Sequence, residues 1–315
     1  MSKYLVTGGA GFIGSHLVDR LISFGESVAV IDNLSTGQEI NINPKAVFYN
    51  ANICDSQIKK IFEKEKPQII FHLAAQISVS ESMIDPVKDA QINILGSLNI
   101  IKNFFSINQK QFYNSDAKFI FSSTGGAIYG NVQIFPTSES CQPFPLSAYG
   151  VAKLAVEKYL HCYHENFKMP YMALRYSNVY GPRQNSKGEA GVVAIFYDKM
   201  ISGITPEITG TGKQTRDFIF VDDVIEANIL ASKSSISGFC NIGTGVETNI
   251  NKIFETAAKN TGKNFEKKYI PARDGELQRS CLDFSASRRN LGWTPKISLD
   301  TGMKKTFEWF SNSNR

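Results

Sequence analysis

The chain has 315 residues, 42% hydrophobic and 20% charged, which suits a soluble protein of one large domain or two modest ones. Its net charge of +5 comes from 34 basic and 29 acidic residues with no lysine- or arginine-rich run, so no nucleic-acid partner is expected. Five dispersed cysteines without a CxxC pair argue against a disulfide framework or a metal centre, and the lack of any run of about twenty apolar residues argues against a membrane span.

The first apolar run, YLVT, leads into an amphipathic stretch reaching Phe24. MSKYLVTGGAGFIG is too short in its apolar part and too interrupted by glycine to read as a signal peptide, so a reducing, cytoplasmic setting is expected. SVAVID, AVFYNANI, QIIFHLAA, KFIFSS and YMALRYSN read as further strands, and Val87 to Phe105 and about Ser147 to Phe167 as helices. This alternation predicts an α/β fold built on a doubly wound parallel sheet of the Rossmann type, because parallel strands need helical crossovers and are buried on both faces. The polar segment 108–117 is expected to be a surface loop. After Tyr180 the pattern loosens, with short strands PEITG and DFIFV and helices DDVIEANILAS and Ile250 to Asn260. The expected division is a cofactor domain over 1–178, with about 215–245 packing back onto it, and a smaller α/β substrate-binding domain over 179–315.

TGGAGFIGSH places Gly8, Gly11 and Gly14 between the first strand and the first helix, where a dinucleotide pyrophosphate can reach backbone N–H groups at a helix N-terminus. Asp32 ends the second strand. An aspartate there accepts adenosine ribose hydroxyls and repels a 2′-phosphate, and Asn33 rather than arginine follows it, so NAD is expected over NADP. SAYGVAK sets Tyr149 and Lys153 four residues apart on one helical face. A phenol with a pKa of about 10 becomes a base near neutrality only if neighbouring positive charge supplies roughly 4 kcal/mol. The loop SSTGGAIYG, at the end of KFIF, offers hydroxyls and glycines but no carboxylate.

Together GGAGFIG, Asp32, FHLAA, the SST loop, YGVAK and LRYSNVYGPRQ resemble the extended short-chain dehydrogenase/reductase family, nearest its nucleotide-sugar 4-epimerases, over nearly the whole chain. The resemblance implies NAD contacts from Gly8, Gly11, Phe12, Ile13, Gly14, Asp32, Asn33, Leu73, Ala74, Ala75, Asn93, Tyr149, Lys153 and Tyr176. Asn52-Ile53 stands where the family usually has Asp-Ile, and the Asn52 carbonyl oxygen can still accept from adenine. It also implies transient oxidation at C4, with Tyr149 as base, Lys153 beside it, and Thr124 or Ser123 orienting the sugar. Relatives that eliminate water or decarboxylate carry acids where this chain has Gly125-Gly126, so neither reaction is expected.

The same resemblance places Asn178, Gly191, Val192, Arg216, Arg273 and Glu276 around a UDP moiety; without it, Arg216 beside Asp217 reads equally well as a surface ion pair. Ser280 stands where a bulky aromatic accompanies restriction to glucose and galactose, so its small size implies UDP-GlcNAc and UDP-GalNAc as substrates, with the non-acetylated pair or UDP-glucuronate as additions. A homodimer is expected through the two long helices. His161 and His164, spaced HxxH, suggest no third ligand and are read as packing or surface residues; His16 and His72 are read as fixing local structure.

Overall fold

The structure is a computed structural model, described here for residues 3–110, 112, 117–187, 191–272 and 277–313. In chain order it contains β1 (Tyr4–Thr7), α1 (Phe12–Ser23), β2 (Val28–Asp32), β3 (Val47–Asn50), α2 (Ile58–Glu65), β4 (Ile69–His72), α3 (Val79–Ile84) and α4 (Pro86–Ala90). A π-helical stretch, Gln91–Gly96, joins α4 to α5 (Ser97–Asn108), followed by β5 (Lys118–Thr124), α6 (Gly125–Ile128), α7 (Ala148–Phe167), β6 (Tyr171–Tyr176) and β7 (Asn178–Tyr180). The rest comprises α8 (Val192–Ile201), β8 (Glu207–Thr209), β9 (Thr215–Phe220), α9 (Val221–Lys233), β10 (Gly238–Ile242), β11 (Glu247–Asn249), α10 (Ile250–Thr261), β12 (Lys268–Ile270), α11 (Ser285–Leu291) and α12 (Leu299–Ser313).

Seven strands form one wholly parallel sheet in the order β10-β6-β5-β4-β1-β2-β3. The strands read as unbroken apolar runs because both faces are covered. Tyr4, Val6, Val30 and Phe71 point into one core, while Leu5, Ala29, Ile31 and Ile70 point into the other. The chain winds outward from β1 through β2 to β3, then returns to β4 on the other side of β1. That reversal opens a crevice beyond the carboxyl ends of β1 and β4, where ligands bind in folds of this class. A small β11-β9-β7 sheet and a β12-β8 pair lie in the C-terminal half, which also lends β10 to the edge of the large sheet.

Three elements differ from the sequence expectation. The segment expected as one helix from Val87 is helical from Pro86 to Asn108, but it widens into a π-helical stretch where Gly96 packs against Ile53 and Cys54. α8 was hidden because VVAIFYDKMI is apolar around most of its circumference, leaving little helical period to detect. β10, GFCNI, opens on Gly238 and the exposed Phe239 and carries the buried Asn241, so it lacks the apolar run of a central strand. Among the described residues no helix is long and apolar enough to cross a membrane.

Candidate active site

The crevice is shaped first by glycines. Gly8 has φ of 72°, and a Cβ at Gly14 would collide with the Gly8 carbonyl oxygen, so the β1–α1 turn closes this tightly only without side chains. Gly11 caps α1 without a side-chain hydrogen bond, and no acid stands in the first turn that begins Phe12-Ile13. The helix N-terminus therefore presents its partial positive charge to whatever anion enters the turn. Asp32, 7% exposed, accepts from Ala10 N at 3.0 Å and Leu34 N at 2.9 Å, which fixes its carboxylate at the end of β2 with lone pairs left over. These features fit a dinucleotide: a turn that a Cβ would fill, an N-terminus free of capping side chains, and an acid at the next strand end.

The other expected cofactor residues divide into those that line the crevice and those that brace it. Gly8 lies directly against the backbone of Leu73 and Ala74, and Ala74 N donates to Thr7 Oγ1, so the β4 loop that continues through Ala75 closes over the glycine turn. Asn33 Oδ1 accepts from Ser35 N, and Asn52 Oδ1 from Cys54 N, so each shapes its own turn. Ile53 is buried in the core. Asn93, 2% exposed, donates to Gln76 O and to Asp89 Oδ1 and accepts from Gln76 N, so its amide braces the β4 loop. The Tyr176 hydroxyl bonds to the Asn228 side chain.

Tyr149 and Lys153 lie on the first two turns of α7. Ser147 Oγ caps this helix by accepting from Gly150 N at 3.1 Å, and Tyr149 N donates to Ser82 Oγ at 3.1 Å. Lys153 Nζ stands 5.8 Å from the centre of the Tyr149 ring and donates to Ser122 O at 2.9 Å, joining the helix to the end of β5. Burial lowers Lys153 to about 8. Burial also pushes the Tyr149 phenol up, the Asp89 carboxylate pushes it further, and a hydrogen bond with Thr124 opposes both. Burial and the Asp89 carboxylate thus both favour the protonated phenol in the chain by itself, and positive charge beside the ring is what would favour the phenolate.

The two hydroxyls of the loop are not equivalent. Thr124 faces Tyr149 and caps α6 by accepting from Ala127 N. Ser123, expected as its alternative for orienting the sugar, is corrected here: it is 3% exposed and donates to Glu157 Oε1 at 2.6 Å on the opposite face of the strand. There it joins a buried network that the sequence did not reveal. Arg175 donates from Nε to Glu157 Oε1 at 3.0 Å, from Nη2 to Oε2 at 2.6 Å, and from Nη1 to the Tyr129 hydroxyl at 2.8 Å. The one available signal was Glu157 four residues beyond Lys153 on the same helix.

The glycine pair after Thr124 also divides. A Cβ at Gly125 would run into the side chain of Leu282, so that position is filled by packing. At Gly126 a Cβ would meet only Asn178 Oδ1 at 3.8 Å and Thr124 Oγ1 at 4.0 Å, so that position opens between the two polar groups. Asn178 Oδ1 is buried with no protein partner, as expected of a group awaiting a ligand. Gly191 and Val192 form the N-terminus of α8.

Arg216 and Asp217 do not form the surface pair that the sequence allowed. Asp217 is fully buried and accepts from Thr244 N, Thr244 Oγ1, Gly245 N and Leu282 N, while the half-buried Arg216 donates to Thr215 O on the other side of β9. Ser280, 8% exposed, is held against β9 by its N–H to Thr215 O, next to Arg216. Arg273 and Glu276 lie outside the described residues. His72 bridges Thr7 Oγ1 and Ser97 Oγ and is lowered to about 3 by burial, so it is neutral; His16 bonds to Pro182 O. His161 faces Glu165 and His164 bonds to Met169 O.

Residues 5–306 match the family profile described as GDP-mannose 4,6 dehydratase. The chain is 44% identical over 311 residues to a putative UDP-glucose 4-epimerase of Methanocaldococcus jannaschii, covering 99% of both. Among solved structures it is similar to the Thermotoga maritima UDP-glucose 4-epimerase with UDP-glucose, at 47% identity, 99% coverage of both chains and a TM-score of 0.94. The Thermus thermophilus UDP-glucose 4-epimerase in complex with NAD matches at 38% identity, 98% coverage of both and 0.89. A UDP-N-acetylglucosamine 4-epimerase from Methanobrevibacter ruminantium, in complex with UDP-N-acetylmuramic acid, matches at 34%, 99% coverage of both and 0.91.

Proposed function

This chain belongs to the NAD-dependent epimerase/dehydratase family of extended short-chain dehydrogenases/reductases, and we propose that it interconverts UDP-GlcNAc and UDP-GalNAc, with UDP-Glc/UDP-Gal as a further pair. Its activity is that of an NAD-dependent UDP-sugar 4-epimerase. The reading rests above all on the pairing of Thr124 with Tyr149 at the mouth of a crevice whose neighbouring position 125 is packed by Leu282, leaving hydroxyls but no loop acid beside the sugar.

NAD, held by the β1–α1 glycine turn and Asp32, would supply reversible hydride acceptance from C4. The chain's own residues manage the proton and the orientation. Thr124 aligns the C4 hydroxyl with Tyr149, which takes its proton as the carbonyl forms and gives it back on reduction. Lys153, tied to Ser122 O, holds positive charge beside the phenol. In this reading Asn178, the α8 N-terminus at Gly191-Val192, Arg216, Arg273 and Glu276 hold the UDP moiety while the keto sugar turns between the two half-reactions. Residues 1–178, with about 215–245 packing back onto them, are the cofactor-binding part, and the remainder of 179–315 the substrate-binding part. The exposed Val87, Leu95, Val151 and Tyr159 form the face of a homodimer, to be tested by light scattering of the purified chain.

The deciding experiment incubates the purified protein with UDP-GlcNAc and no added NAD, and reads the C4 configuration of the product. UDP-GalNAc is expected; net NADH accumulation with release of a keto sugar would replace this reading with that of a dehydrogenase. The acetamido preference is supported by Ser280, a small residue beside Arg216, and by the likeness to a UDP-N-acetylglucosamine 4-epimerase. Ser280→Tyr is expected to lower kcat/KM for the acetylated pair about 10-fold or more while sparing UDP-glucose. Equal losses on both pairs would remove the pocket argument.

A further inference from the structure

Asp89 is an acid that the catalytic scheme leaves without a role. It sits on α4, is 1% exposed, and accepts at Oδ1 from Asn93 Nδ2 at 2.8 Å and Gln76 Nε2 at 3.0 Å. Its second oxygen, Oδ2, is buried with no partner. A buried carboxylate that served only to brace Asn93 and Gln76 could be an uncharged amide, since its single accepting oxygen takes both bonds. The residue also lines a small cavity of about 140 Å³ with Gln76, Glu81, Asp85 and Lys88.

α4, which carries Asp89, packs against α7, which carries Tyr149 and Lys153, so the buried carboxylate lies on the helix pair that positions both members of the proton-handling pair. Burial raises the Asp89 carboxyl above its ordinary value, while the bonds from Asn93 and Gln76 and the Lys153 charge favour its ionised form. Asp89 is the stronger of the two acids that act on Lys153, ahead of Glu157, and it also acts on Tyr149. Glu157 is already matched by the bidentate Arg175, which leaves Asp89 as the less compensated charge. The remaining charged or titratable neighbours are Glu81, Asp85 and Lys88 on the cavity side of Asp89, and the neutral His72 near Lys153.

We propose that Asp89 is a positioning residue: the fixed negative charge that keeps Lys153 protonated in the dry site and so sets the pH range in which Tyr149 exchanges its proton. This rests on the reading of Tyr149 as the base. Asp89 touches neither sugar nor proton and acts only through the Tyr149–Lys153 pair. The sign is fixed by elementary electrostatics. A nearby negative charge raises the pKa of a phenol and of an ammonium alike, so its removal lowers both.

The test is the pH dependence of epimerisation, from roughly pH 6 to 10, by the wild-type holoenzyme and by Asp89→Asn. Asparagine preserves the shape and both accepted hydrogen bonds. The acid limb, set by Tyr149, and the alkaline limb, set by Lys153, are both expected to move to lower pH by about half a unit or more, displacing the whole bell. A bell that changes height but stays in place would overturn the proposal and leave Asp89 a brace for Asn93. Asp89→Ser, smaller and equally uncharged, gives the same reading if the asparagine variant does not fold. Wild-type protein and Tyr149→Phe in the same assay keep the two ideas apart: a fully active Tyr149→Phe defeats the base assignment, whereas an unmoved bell with an inactive Tyr149→Phe defeats only the role of Asp89.

Discussion

Tyr149→Phe is expected to lower kcat about 10³-fold while leaving the fold intact. The phenyl ring keeps the packing at the start of α7, where the backbone N–H rather than the hydroxyl is bonded to Ser82. What disappears is the one group that both meets Thr124 and stands beside Lys153. Thr124 cannot replace it, because an alkyl hydroxyl is a far weaker acid than a phenol and its oxygen already accepts from Ala127 N. Lys153 cannot replace it either, since its Nζ is directed to Ser122 O. Single-turnover kinetics with a C4-deuterated sugar would show the lost step as the slow one. Retention of more than a tenth of the wild-type kcat would exclude the phenol as base.

The second large effect concerns stability. Arg175→Met is expected to destabilise the protein by about 3–5 kcal/mol, because it strands the Glu157 carboxylate in the core. Arg175 is 2% and Glu157 4% exposed, and they share two hydrogen bonds, with the guanidinium stacked 4.1 Å from the Phe239 ring centre. After the change Glu157 keeps only the Ser123 hydroxyl, and the Tyr129 hydroxyl keeps only Asn241. Chemical denaturation should show the midpoint falling with little change in slope. The double variant Arg175→Met/Glu157→Gln should recover a substantial part of the loss, since no unpaired charge then remains buried. A midpoint within experimental error of wild type would mean that the pair contributes nothing net.

Much of the architecture was legible because the physics that builds a parallel sheet leaves marks in sequence. β1, β2, β4, β5 and β6 are buried on both faces and could be read as apolar runs. β10 and α8 were not legible, because neither a strand that opens on glycine and carries a buried asparagine nor a helix apolar around most of its circumference carries a usable period. The expected chemical residues Tyr149 and Lys153 were marked by type and spacing, and Thr124 or Ser123 through the family resemblance, but the groups around them in space were not legible. Which of Ser123 and Thr124 faces the site follows only from the alternation of side chains along β5, once the strand's two faces are known. Asp217 beside Arg216 looked like a surface partner because adjacent charges suggest pairing, yet on a strand adjacent residues point apart. Asp89 carried no signal at all; its significance lies in what surrounds it in space.

The contact between Gly125 and Leu282 links the two halves of the chain at the point where reaction type is decided. Leu282 is two residues from Ser280, and its N–H is held by the buried Asp217. A carboxylate at position 125 requires the Leu282 side chain to shift or shrink, on a segment that also carries the proposed selector for the sugar's C2 group. A change that made room at 125 by shortening Leu282 would therefore be felt two residues away at Ser280, so the packing of the catalytic loop and of the proposed sugar selector share one segment.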